Sequence, residues 1–187
     1  METINRNFNT TIDYISDKSN QNQDNSESCI IQQSINQMLR LEIESYYFYT
    51  DMEVYLYHLG LNGMSNWAKL QASEELDHFK KHVEYAKIKK ISITLPGIDE
   101  FNQKFSSPLD SFEKALSQEI KLGDFYNSLD HKATNFKNPS FSNYLTIFVN
   151  EQDEEINLLD NIVKRVKLAG SNSGLVIIDH DLAQREV

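Results

Sequence analysis

Residues 35–56 read INQMLRLEIESYYFYTDMEVYL. Their apolar residues recur every three or four positions, which is the spacing of one face of an α-helix. This apolar stripe is interrupted near its middle by an acid, Glu42, which falls in line with Met38 and Tyr46. A buried, unpaired carboxylate costs several kcal/mol or takes up a proton, so an acid at this position needs a physical reason.

The same interruption occurs in three further segments of helical period. Glu75 and His78 share the apolar stripe of the second segment, Glu119 lies in that of the third, and Gln152 and Glu155 lie in that of the fourth. Each of the four predicted helices therefore points at least one carboxylate toward a common axis. Chance does not readily place an acid on all four apolar stripes at one level.

The apolar period predicts four long helices and one short one. They cover about residues 28–59, 64–90, 110–137, 139–168 and 175–184. Residues 91–109 contain Pro96-Gly97 and Pro108 and show no helical period. A connection of this length is expected to cross the bundle from end to end rather than to form a tight turn.

Polar and small residues mark the ends of these segments. Asp110 and Glu113 are expected to begin the third helix as a capping box, and Gly170 and Gly174 to bracket the turn before the last one. The sequence therefore predicts an all-α fold, a four-helix bundle with one long crossover and a short fifth C-terminal helix.

Composition limits the other possibilities. Residues 1–27 are rich in Asn, Gln, Ser and Asp and are predicted to be a disordered N-terminal extension, whereas residues 28–187 form one domain. The lone Cys29 excludes an internal disulfide and, with a polar start that lacks a secretory signal, favours the cytoplasm. The net charge of −10 argues against nucleic acid, and no apolar run is long enough for a membrane span.

Metal ions are the simplest counter-charge for the acids on the four stripes. Four facing carboxylates cannot all ionise at close range, and Lys and Arg do not occur on these stripes. Carboxylate and imidazole ligands suit iron and manganese. Each residue alone has a plainer interpretation: a stripe glutamate can reach solvent at the bundle edge, Gln152 can be a buried amide and Tyr49 a core residue. His82, one turn beyond His78, is expected to support or pack rather than to bind metal.

Glu on the first helix, Glu-x-x-His on the second, Glu on the third and Gln-x-x-Glu on the fourth together resemble the ferroxidase centre of ferritins. The similarity covers about residues 30–184 and is closest to the non-haem ferritins of prokaryotes. The resemblance implies that Glu42, Glu75 and His78 hold one iron and that Glu75, Glu119 and Glu155 hold the other. Glu75 would bridge the two ions, with Gln152 close by and Tyr49 next to the centre as an electron donor.

Prokaryotic members of the family also have a third iron site. Glu74, Glu151 and Glu154 fall at the matching positions, with Glu155 shared. These acids lie at the flank of the apolar stripes, and an ordinary solvated charge accounts for Glu154 about equally well.

The resemblance implies a ferroxidase that oxidises Fe(II) with O2 and stores the product as ferric mineral inside a shell of twenty-four copies of the chain. It implies two irons per subunit, with a third at the additional site, and no haem. The alternative is another ferritin-like di-iron protein without mineral storage, either a bacterioferritin or a di-iron oxidase or peroxidase. A bacterioferritin would carry a second Glu-x-x-His where this chain has Gln152-x-x-Glu155. The remaining alternatives are a purely structural bundle and a shell subunit with no oxidase activity.

Overall fold

A computed structural model describes residues 27–135, 138–170 and 172–185. Apart from Glu27, the predicted N-terminal extension therefore lies outside the described residues. The described part forms five helices, which confirms the predicted all-α fold class. They are α1 Glu27–His58, α2 Asn62–Lys89, α3 Pro108–Asn135, α4 Pro139–Ala169 and α5 Asn172–Leu182.

The helices form two adjacent pairs with a short fifth helix at one end. Helix α1 lies along α2 and α3 lies along α4, while α5 packs on α2 and α4. Helices α1 and α2 are joined by a short turn, and α2 and α3 by the crossover. None of the described helices is both long and apolar enough to cross a membrane.

The crossover runs along α1, as predicted. The Thr94 amide donates to Asn36 Oδ1 over 2.8 Å, and the Gln103 amide donates to Asp51 Oδ2 over 2.6 Å. The two acceptors are fifteen residues apart on α1, which is about 22 Å of helix at 1.5 Å per residue. Phe105 then packs edge-on against Phe48, with 5.6 Å between ring centres.

Two predicted helix ends are wrong. Helix α3 begins at Pro108, because Ser107 Oγ accepts the Asp110 amide over 3.0 Å and so caps the helix in place of the predicted Asp110–Glu113 box. Gly174 lies inside α5 instead of bracketing the turn. A Cβ on Gly174 would lie 2.6 Å from the Ala169 carbonyl oxygen, so this glycine permits a close approach of two backbones. Gly170 alone ends α4, with φ +57°.

The apolar core is divided into two clusters. One contains Met52, Trp67 and Phe112 near the α5 end of the bundle. The other contains Met38 and Leu145 near the opposite end. The acids of the four apolar stripes lie in the layer between these clusters, so each one is enclosed by apolar side chains on both sides along the bundle axis.

Candidate metal centre

Four helices place polar side chains in the layer between the two apolar clusters. Glu42, Glu75 and Glu119 are each 0% exposed, and Gln152 is 3% exposed. Glu155 is half-buried. The helical period alone places these residues there, because each is three or four positions from buried apolar neighbours on its own helix.

Two groups of side chains meet closely enough to hold an ion each. Glu42, Glu75 and His78 offer ligand atoms within 4.8 Å of one another, and so do Glu75, Glu119 and Glu155. His78 Nδ1 lies 3.6 Å from Glu42 Oε2 and 3.8 Å from Glu75 Oε2. Glu75 belongs to both groups, so the two sites are neighbours that share one carboxylate.

Several oxygens of these groups have no internal partner. Both carboxylate oxygens of Glu75, Oε2 of Glu42 and Oε2 of Glu155 are buried without a hydrogen bond to any described residue. Buried polar atoms are nearly always hydrogen-bonded in native proteins, so four such atoms in one layer require an explanation. One cation in each group would satisfy them, and oxygen-rich sites with one imidazole are suited to iron or manganese.

The pKa values in this layer reflect burial without enough compensating charge. Burial, and then the neighbouring Glu119, raise the pKa of Glu75 and of Glu155 well above the ordinary value. Burial also raises the pKa of Glu119 to about 7. Glu42 is the exception: burial alone would raise its pKa, but the neighbouring imidazoles of His78 and His82 hold the pKa below the usual value.

Glu119 is held by two donors. The Tyr49 hydroxyl donates to Glu119 Oε1, and the Gln152 amide nitrogen donates to Glu119 Oε2 and, over 3.2 Å, to the Glu119 carbonyl oxygen. In this structure Gln152 and Tyr49 therefore orient a carboxylate of the second group. Both residues lie beside the predicted centre, with Gln152 directing its nitrogen at Glu119.

Glu42 is held by a network on the other side of the layer. His82 is 0% exposed, and its Nε2 lies 3.2 Å from Glu42 Oε1 and 2.8 Å from the Tyr126 hydroxyl. Its Nδ1 lies 2.6 Å from the Tyr144 hydroxyl, and Tyr126 donates to Glu42 Oε1. One set of donors satisfies the chain: Tyr144 donates to His82, Nε2–H donates to Tyr126, and Tyr126 donates to Glu42.

His82 thus supports a predicted ligand, as the sequence led us to expect, but its partners were not predicted. They lie on α1, α3 and α4, and the single signal in the sequence was the spacing of four residues from His78. Hydrogen bonds of this kind fix the orientation of metal-binding carboxylates.

The three acids of the predicted additional iron site do not meet as closely as the members of the two ligand groups do. Glu74 Oε2 lies 2.6 Å from Arg185 Nη2, Glu151 lies 3.3 Å from Lys81 Nζ and 3.4 Å from His78 Nε2, and Glu154 is exposed. Among the described residues, the ligand groups that meet closely enough are the two above. The additional site stays a prediction.

Comparisons with known proteins agree with this geometry. A family model described as "Ferritin-like domain" matches residues 32–169. The chain is 32% identical over 146 residues to a bacterial non-heme ferritin of Campylobacter jejuni, covering 78% of this chain and 87% of that protein. It is 30% identical over 156 residues to a bacterial non-heme ferritin of Escherichia coli, covering 81% and 92%.

Solved structures of ferritins also match this chain. A humanized archaeal ferritin is 30% identical, superposes with a TM-score of 0.83 and is matched over 87% of this chain and 100% of its own. The open-pore ferritin of Archaeoglobus fulgidus is 29% identical with a TM-score of 0.81, over 87% of this chain and 98% of its own. The fold, the two acid groups and the family match all point one way, and the chain belongs to the ferritin family.

Proposed function

We propose that this chain is an iron-storage ferritin subunit that oxidises Fe(II) with O2. The observation that carries the proposal is the pair of ligand groups that share Glu75 and contain four buried oxygens without internal partners. Glu42, Glu75 and His78 would bind one Fe(II), and Glu75, Glu119 and Glu155 the other. Relatives named as bacterial non-heme ferritins support iron as the metal.

Two adjacent iron sites suit the reduction of O2 by two electrons. Each Fe(II) gives up one electron, so two ions held side by side can reduce one O2 by two electrons, whereas a single ion would yield superoxide. Glu75 would keep the ions adjacent as the shared ligand. Tyr49 and Gln152 would hold Glu119, and the His82 network would hold Glu42, so that the ligands keep their places when iron leaves.

The donor set also suits storage. Separate carboxylates and one imidazole can exchange on ferric iron, whereas a haem macrocycle retains its iron, so the oxidised product can move on to a mineral. We propose that copies of this chain form a shell around that mineral, with twenty-four subunits as in the family, in the cytoplasm. Exposed apolar side chains on and beside α5 support self-association: Leu168 is 85%, Val176 62% and Ile177 64% exposed.

Replacement of the shared ligand tests the proposed chemistry. Glu75→Ala removes the carboxylate common to both groups, so we expect the fast oxidation of Fe(II) to slow by at least about 100-fold. The measurement is stopped-flow absorbance after anaerobic Fe(II)-loaded protein is mixed with O2. Glu84→Ala is the matched control, because Glu84 lies on the same helix but pairs with Lys87 at the surface. Unchanged kinetics in Glu75→Ala would refute the proposed centre.

A further inference from the structure

Arg185 lies three residues beyond the end of α5, and several contacts fix the position of α5. Asp179 Oδ1 accepts the Met64 amide at the start of α2 over 2.8 Å. Asp181 Oδ2 lies 2.5 Å from Arg165 Nη2 on α4. These bonds fix α5 against α2 and α4, so the residues after α5 reach the surface of α2.

Three side chains of α2 contact the guanidinium of Arg185. Nη1 lies 2.5 Å from Gln71 Oε1 and Nη2 lies 2.6 Å from Glu74 Oε2. Its Cζ lies 5.2 Å from the ring centre of Trp67. A forked pair of hydrogen bonds with a cation–π contact is a specific arrangement for an arginine, and lysine would not reproduce it.

Arg185 lies in an acidic cleft that borders the candidate metal centre. The cleft is lined by five acids, which are Glu74, Asp77, Glu151, Glu154 and Glu155, against two fixed cations, Lys81 and Arg185. Glu155 also belongs to the second ligand group. Oε2 of Glu151 and Oε2 of Glu155 are buried and lack a hydrogen bond to any described residue. The cleft therefore holds more acids than basic side chains, which are Lys81, Arg185 and His78.

We propose that Arg185 is an internal counter-cation of this cleft and that a divalent metal ion displaces it from Glu74. An ion bound by Glu74 and its neighbouring acids would lie against a guanidinium of like charge, so the two repel each other and compete for that carboxylate. The metal carries two charges and can draw on several carboxylates at once, whereas Arg185 pairs with one. Occupation of the cleft is thereby coupled to release of Arg185 from its place over Trp67.

The choice of Fe(II) as the natural ion rests on the proposed function, but the competition itself does not. Trp67 is the single tryptophan of the chain and is 1% exposed. Because the guanidinium covers its ring, Trp67 fluorescence reports whether Arg185 is seated.

Zn²⁺ titration of the metal-free full-length protein tests the proposal, with calorimetry and Trp67 fluorescence recorded together. Two equivalents per chain are expected to bind most tightly, at the two ligand groups, in wild type and in Arg185→Gln alike. The next equivalent is expected to bind about tenfold more tightly in Arg185→Gln, since no charge-assisted hydrogen bonds to Gln71 and Glu74 have to be broken. Wild-type Trp67 emission should move toward that of Arg185→Gln as this equivalent binds.

Arg165→Gln is the matched control, because it also removes one positive charge that pairs with an acid near α5 but lies outside the cleft. Arg185→Lys keeps the charge and should bind the third equivalent with intermediate affinity. Equal third-equivalent affinities in wild type and Arg185→Gln overturn the proposal, and so does an equal gain in Arg165→Gln. Failure of the proposed function looks different: the two tightest equivalents would survive Glu75→Ala.

Discussion

Glu119 shows the conflict between burial and charge at the level of one residue. Its side chain is fully buried, and Tyr49 and Gln152 both donate to it. Burial penalises the charged form more than these two bonds favour it, and the pKa therefore rises to about 7. Glu75 and Glu155 are subject to the same burial and to the charge of Glu119 as well. Without metal, protons near neutral pH take the place of cations in this layer.

Glu119→Gln should therefore change how the stability of the metal-free protein depends on pH. The folded-state pKa of about 7 lies above the ordinary value of 4.5, so the folded protein binds more protons than the unfolded chain. The stability contributed by protonated Glu119 is complete below about pH 4.5 and is lost as pH rises through about 7. The amide cannot ionise, so we expect Glu119→Gln to be more stable than wild type at pH 8 by about 1–3 kcal/mol and similar at pH 5.

Thermal unfolding in a chelator, followed by circular dichroism at both pH values, measures this difference. Glu113→Gln is the control on the same helix, because Glu113 pairs with Lys167 at the surface over 2.7 Å and should show no such pH dependence. A variant Glu119→Gln that is less stable than wild type at pH 8 would show that the buried carboxylate is not the source of repulsion.

The sequence predicts which residues lie in the layer of the metal centre, but it does not predict which side chains contact them. Burial of Glu42 and Glu119 follows from helical period, because the period alone decides which face of a helix is covered. The partners of His82 depend on how four helices are rotated about their axes, and no spacing within one helix contains that information. Arg185 and Glu74 are likewise far apart in sequence and meet only because α5 docks at one angle.

At the level of elements, the placement of α5 depends on one glycine of α2. A Cβ on Gly63 would lie 1.7 Å from the Asp179 carbonyl oxygen and 2.7 Å from its carbonyl carbon. These are backbone atoms of α5, so no side-chain rotation could relieve the clash. The predicted helices at about residues 28–59 and 64–90 leave Gly63 in the turn between them. The contact it permits involves a helix more than a hundred residues later and could not be derived from local sequence.

Gly63→Ala should therefore move α5 away from α2. The Met64–Asp179 hydrogen bond would be lost with it, and we expect the free energy of unfolding to fall by about 1–3 kcal/mol. Amide hydrogen exchange over residues 172–182 should accelerate more than exchange in α3. Gly97→Ala is the matched control, because no described atom lies within 4 Å of a Cβ at that position. Equal protection of residues 172–182 in the two variants would contradict this account of α5.

At the level of the whole molecule, the proposed chemistry and the proposed shell depend on separate parts of the chain. Every member of the two ligand groups belongs to one chain and lies between the two apolar clusters. The large apolar side chains left exposed on α5, Val176 and Ile177, lie outside both clusters. Metal binding should therefore survive a change that prevents assembly.

Val176→Glu combined with Ile177→Glu tests that separation. Both side chains are more than half exposed in the single chain, so the substitutions should leave its fold intact. In an assembled shell they would place like charges in an apolar contact, where desolvation of unpaired carboxylates is costly. We expect size-exclusion chromatography with light scattering to show a much smaller particle, while the two tightest Zn²⁺ equivalents per chain remain.

The pair Val176→Leu with Ile177→Leu is the control for this test, because it keeps the surface apolar and should assemble as wild type does. If the glutamate variant has the wild-type mass, α5 is not a subunit contact; if it also loses the two tight equivalents, binding requires assembly, and a centre within one chain is not sufficient.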